Sequence, residues 1–203
     1  MKKGKLIAAA ALVLALGVVT GATIAYLTDQ TDEVKNTFTV GNINIDLTET
    51  TTDYKMVPGT EIEKDPKVTV LPNSEASWLF VKIEKSANLD EFIAYDVDAD
   101  WTEGTGTGEG GNGVPVGVYY REVDAIDAAK GISYPVIGLK KTAAGGGTEF
   151  IPNIVQVKAS VTKAMMDEIE ADTSKYPTLT FTAYAVQKAT VTSAADAWAI
   201  INE

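Results

Sequence analysis

The chain has 203 residues with no cysteine and no histidine, and 28 acidic against 17 basic side chains give it a formal net charge of −11. That inventory excludes Ser-His-Asp and Cys-His nucleophile systems, His-ligated zinc and histidine general-base catalysis. The acidic balance, with Arg121 the sole arginine, opposes binding to nucleic acid or anionic lipid, whose affinity comes from clustered Lys and Arg, and favours solubility.

Lys2, Lys3 and Lys5 precede LIAAAALVLALGVV (6–19) and then small residues, the three-part layout of a secretory signal peptide. Thr23 and Ala25 are small enough for the −3 and −1 pockets of a signal peptidase. The expected cut therefore falls between Ala25 and Tyr26, with Ala22 as a second possibility. A retained anchor is the competing reading, because Leu6 to Leu27 is a run of 22 residues without a charge and ~20 apolar residues can cross a bilayer. Seven alanines, two glycines and the lack of a basic stop-transfer flank favour cleavage. Residues 1–25 are then the signal peptide and 26–203 one domain, with 26–37 an extended N-terminal segment. Three of the 17 basic residues and none of the 28 acidic ones leave with the signal, so the mature chain carries a formal charge of −14. An exported domain without disulfides is held by its core alone or gains stability by assembling with copies of itself.

From Phe38 the pattern is β. Phe38 and Val40 share a face, the phase slips at Gly41 as at a bulge, and Ile43, Ile45 and Leu47 resume the alternation. Residues 49–66 form a polar connection with a Pro58-Gly59 turn. VTVL (68–71) and WLFVKIEK (78–85) read as a hairpin closed by Pro72-Asn73-Ser74. IAYDVDADW (93–101) alternates as one strand, with Tyr95, Val97, Ala99 and Trp101 on one face and Asp96, Asp98 and Asp100 on the other.

The aspartates invite a calcium-loop reading, but Trp101 stands where that loop needs glycine and Thr107 where it needs glutamate. A solvated strand face is the better account, and a weak surface calcium site at Asp96, Asp98 and Asp100 is left open. GTGTGEGGNG (104–113) contains a G-x-G-x-x-G string, yet a strand, VPVGVYYREV (114–123), follows it rather than a helix. A flexible loop joining two strands is therefore expected.

A helical turn at 124–131, a short strand at 134–139 and a second glycine-rich loop at 142–150 come next. NIVQVKASV (153–161) reads as a strand running into Thr162, the N-cap of a helix KAMMDEIEA (163–171) that turns Met165, Met166 and Ile169 inward. TLTFTAYAVQ (178–187) has the strongest β composition in the chain. Ser193 and Asp196 form a capping box for a C-terminal helix that docks through Trp198. Short strands with Gly/Pro turns and two or three short helices imply a mainly β fold, an antiparallel jelly-roll-like β-sandwich.

The signal peptide running into AYLTDQTDEVKNTFTVGNINIDL, then VPGTEIEKDPKVTVLPNSEASWLFVKI, DWTEG with VYYREV after it, and TFTAYAVQKATVTSAADAWAII together resemble the camelysin/TasA family of Gram-positive exported proteins. The resemblance spans nearly the whole chain. It implies a signal cut by a dedicated, ER-type signal peptidase and a mature N-terminus near Tyr26. It also implies that in fibre-forming relatives the N-terminal segment completes the sheet of the next subunit. Tyr26, Leu27, Phe38 and Val40 are the candidate anchors of such a donor strand, while Asp29, Asp32 and Glu33 would be costly to bury. An ordinary N-terminal tail or edge strand of a monomer is the alternative.

Three functions follow as expectations. The first is an exported structural protein of a biofilm matrix or surface fibre. It would have no catalytic residues and no cofactor, would be its own partner, and would touch the membrane only through an uncleaved signal peptide. The second is a camelysin-like metallo-endopeptidase, disfavoured because zinc would have to be held by carboxylates alone. The third is a surface binding module, a carbohydrate- or protein-binding sandwich using Trp101, Tyr119 and Tyr120, rings better explained as core.

Overall fold

The computed structural model describes residues 42–127 and 129–202. The expected signal peptide and its cut at Ala25, the assembly candidates Tyr26, Leu27, Phe38 and Val40, and the bulge at Gly41 lie outside the described residues.

Ile45 and Leu47 turn inward from β1 (Ile45–Thr48), as the alternation predicts. The Pro58-Gly59 turn forms, with Gly59 at φ +81° and the Thr60 amide donating to Val57 O at 3.1 Å. The polar connection nonetheless contains β2 (Glu61–Glu63), whose single apolar residue gives no strand signal on its own.

β3 (Lys67–Val70) and β4 (Ser77–Lys85) lie where the sequence places strands, and Asn73 takes a positive φ of 61° in the turn between them. The expected hairpin does not form: the two strands join different sheets. β4 explains this, since Ser77 to Val81 are buried on both faces, as a central strand requires.

A short helix, α1 (Leu89–Phe92), buries Leu89 and Phe92. The single strand expected at 93–101 is broken into β5 (Ile93–Ala94) and β6 (Asp96–Val97), and the chain then turns into β7 (Thr102–Glu103). The turn is built by Asp98, whose Oδ1 accepts from the Asp100 amide at 2.9 Å while its carbonyl accepts from Trp101. The glycine-rich stretch at 104–113 joins two strands as expected, but the strand expected at 114–123 begins only at Val118 as β8 (Val118–Val123), and the connection carries its own hydrogen bonds, including Gly106 N to Val114 O and Thr105 N to Asn112 Oδ1.

No helical turn forms at 124–127. The Ile126 amide donates to Ser74 O at 2.8 Å and its side chain is buried. The strand expected at 134–139 is two strands, β9 (Ile132–Pro135) and β10 (Ile137–Thr142), in different sheets. The chain changes sheet at buried Val136, which donates to Pro66 O and accepts from the Asp98 amide. The second glycine-rich loop is the turn of a hairpin into β11 (Thr148–Pro152), and the positive φ of Gly146 and Gly147 is the conformation glycine admits without strain.

β12 (Ile154–Val157) leads to α2 (Lys163–Ala171), where Thr162 accepts from the Met165 amide and Met165, Met166 and Ile169 pack inward as expected. β13 (Leu179–Gln187) and α3 (Ala194–Ile201) also form as expected, α3 with its Ser193 cap on the Asp196 amide.

The protein is mainly antiparallel β. Among the described residues four sheets run β1-β3-β9, β11-β10-β6, β2-β12-β5 and β13-β4-β8-β7. One face of the last sheet presents Leu79, Val81 and Val123 to Val68 and Val70 of β3 and to Val155 and Val157 of β12, which makes the main core. Its other face presents Trp78 and Phe80 to Ala194, Ala197 and Trp198 of α3. A layer covered on both sides is why β4 lacks the alternation of a strand with one wet face.

Candidate functional site

Two features stand out: the outer edge of β13 and an open cleft on the far side of the same sheet. β13 pairs with β4 over nine residues, from Leu179 opposite Lys85 to Gln187 opposite Ser77. The hydrogen bonds Ser86 N to Thr178 O and Lys188 N to Ala76 O fix the phase of this ladder. In an antiparallel pair, alternate residues point their amides and carbonyls at the partner. Even-numbered residues of β13 therefore face β4, and Leu179, Phe181, Ala183, Ala185 and Gln187 direct their backbone N–H and C=O groups outward. Among the described residues β4 is the one strand paired with β13.

Natural sheets usually blunt such an edge with Lys, Pro or a bulge. LTFTAYAVQ has neither residue, and its residues are mostly half-buried although Phe181, Ala183 and Ala185 pack on the main core and Tyr184 and Val186 on the helix side. Asn42, the first described residue, lies near one end of this edge: its carbonyl accepts from Glu75 N while the adjoining Ala76 O accepts from Lys188 N, both at 2.8 Å.

The cleft has a volume of about 570 Å³ and is built by β4, α1, the β5–β7 segment, β8 and β10. Tyr95 and Tyr119 contribute half-buried rings. The Tyr119 hydroxyl donates to Glu103 Oε1 at 3.3 Å, and burial, followed by the Glu103 charge, pushes its pKa up to about 12. Burial also raises Tyr95 above the ordinary phenol value. Lys140 donates its amide to Asp96 Oδ2 at 2.8 Å and holds its ammonium 3.8 Å from the other oxygen. Lys85 pairs with Asp90 at 2.5 Å, and the Lys158 ammonium donates to the Asp90 carbonyl.

The three aspartates noted in the sequence do not form one ligand set. Asp96 serves Lys140, Asp98 closes its own turn, and Asp100, exposed, stands 3.9 Å from Arg121. Among the described residues no three acidic side chains are grouped to hold a cation. Trp101 is buried and its indole N–H donates to Pro135 O at 2.8 Å, so the core reading of that ring is the one the structure supports. Tyr119 and Tyr120 lie on opposite faces of β8, Tyr119 against the main core and Tyr120 against Trp78 and Phe80. The cleft was not legible in the sequence, because its groups come from β4, α1, the β5–β7 segment, β8, β10 and Lys158 after β12. Alternation at 93–97 and 118–123 was the only signal, and it places Tyr95 and Tyr119 on faces without bringing them together.

Among the described residues, the fold and these features define a mainly β protein with a long unpaired strand edge and a polar surface cleft. Family models, curated proteins and solved structures contain no match to the chain.

Proposed function

We propose that this chain is an exported structural protein, a subunit of an extracellular matrix or cell-surface fibre that assembles by donor-strand addition. The N-terminal segment of one copy, anchored by Tyr26, Leu27, Phe38 and Val40, would add to the outer edge of β13 in the next. The unpaired, uncharged backbone edge of β13 is the observation that carries this reading. Main-chain pairing along such an edge supplies affinity, and side-chain pockets supply register. A head-to-tail contact that does not close on itself produces filaments. Asp29, Asp32 and Glu33 lie between the two pairs of anchors, and the stretch that carries them would have to stay in water, since burying them unpaired is costly.

Cleavage after Ala25 would then control assembly, because a tethered segment cannot enter a neighbour. Negative-stain microscopy of three purified proteins tests this: one beginning at Tyr26, one extended by a few signal-peptide residues, and one beginning at Asn42. Fibres are expected from the first alone, and comparable fibres from all three would refute the proposal.

A further inference from the structure

We infer that the cleft between α1 and the β7–β8 pair is a binding site for an uncharged oligosaccharide, independent of the β13 edge. Its volume of about 570 Å³ falls in the range of roughly 300–1,000 Å³ typical of small-molecule sites. Its lining is polar, which disfavours a hydrocarbon ligand.

Charge selects among the polar ones. Four carboxylates, on Asp90, Asp96, Asp98 and Glu103, stand among three ammonium groups, on Lys85, Lys140 and Lys158. An anionic ligand would meet the carboxylates and a polycation would meet the lysines, so either carries a repulsive term wherever it lies. A neutral polyol carries none. Sugar hydroxyls both donate and accept, so they can answer carboxylate acceptors and ammonium donors in turn.

Tyr95 and Tyr119 add what a polar ligand rarely uses and a sugar does. Their half-buried rings offer apolar surface for the C–H face of a pyranose beside a hydroxyl for its rim. The Tyr119 hydroxyl is held only by a 3.3 Å bond to Glu103, long enough to be exchanged for a ligand bond. Among the described residues the Tyr95 hydroxyl takes part in no hydrogen bond. The cleft is open rather than enclosed, which suits a chain segment that continues past the site.

The test is titration of the purified mature chain with cellotetraose, maltotetraose and chitotetraose, followed by calorimetry and by the aromatic NMR signals. Tetragalacturonate and spermine are the anionic and cationic controls. At least one neutral tetrasaccharide is expected to bind at millimolar concentration or below and to shift the Tyr95 and Tyr119 signals. Tyr95→Phe and Lys140→Gln, substitutions that keep ring or stem in place, should each weaken it by about tenfold with melting temperature unchanged. The inference is overturned if no neutral tetrasaccharide binds, if a charged control binds in preference, or if both variants bind as the parent does.

Discussion

Arg121 on β8 stacks its guanidinium on the ring of Tyr134 on β9, with Cζ 4.0 Å from the ring centroid, and so joins the two facing layers across the core. The Trp101 ring centroid lies 5.6 Å from the same Cζ. Asp100 is 3.9 Å away and exposed, and the buried Nε has no hydrogen-bond partner. The rings, rather than an ion pair, therefore hold this side chain. A double-mutant cycle with Arg121→Met and Tyr134→Leu is expected to give a favourable coupling of ~0.5–2 kcal/mol. Coupling indistinguishable from zero in denaturant melts would show that the stack contributes nothing.

Lys64 is nearly buried, and it shares one oxygen of Glu49 with Tyr54: Lys64 Nζ lies 2.6 Å and the Tyr54 hydroxyl 2.7 Å from Oε1. Removing one partner leaves a charge in a poorly hydrated place. Lys64→Ala is expected to cost ~3–5 kcal/mol. The pair Lys64→Met with Glu49→Gln should melt above Lys64→Ala, since it removes both charges while keeping volume. Equal melting of the two would contradict this account, since the pair restores both packing and neutrality.

Trp198 sits against Phe80 and Tyr184, with ring centroids 5.3 Å and 5.5 Å apart, and seals the outer face of β4. Trp198→Ala should therefore destabilise by ~3–5 kcal/mol. Ser193→Ala, which deletes the cap on the Asp196 amide, should cost only ~1 kcal/mol. Chemical denaturation of both variants checks the order, and the reverse order would mean that α3 is held by its cap.

Alkaline pH should weaken the fold. Burial raises Tyr95 and Tyr134, and it pushes Tyr119 from the ordinary 10.0 up to about 12. Below pH 10.0 both folded and unfolded chains keep the Tyr119 proton and its contribution is whole. Between 10.0 and about 12 the unfolded chain releases that proton while the folded chain retains it, so stability falls as pH rises. Denaturant midpoints should drop across this window, and Tyr119→Phe should flatten the slope. A slope that Tyr119→Phe leaves unaltered would contradict the assignment.

Local chemistry was legible in the sequence wherever one element decides the outcome. The caps at Thr162 and Ser193, the inward Met165, Met166 and Ile169, and the length of β13 all depend on residues within a few positions of each other. Partnership was not legible. VTVL and WLFVKIEK look like a hairpin, but burial of both faces of β4 commits it to the centre of another sheet. IAYDVDADW alternates as one strand, but Asp98 breaks it with a side-chain turn and Trp101 is drawn to Pro135. The cleft was hidden for the same reason, since its chemistry exists only after those partnerships form.

The most direct test of strand addition is a proline at Ala183. Its amide points away from β4, so Ala183→Pro removes a donor from the open edge without removing a ladder hydrogen bond, whereas Thr182→Pro breaks the ladder itself. Microscopy and thermal melts of both variants in the chain beginning at Tyr26 give the answer. Ala183→Pro is expected to fold with a melting temperature close to that of the parent and to form no fibres, while Thr182→Pro fails to fold. Abundant fibres from well-folded Ala183→Pro protein would contradict the assignment of β13 as the acceptor.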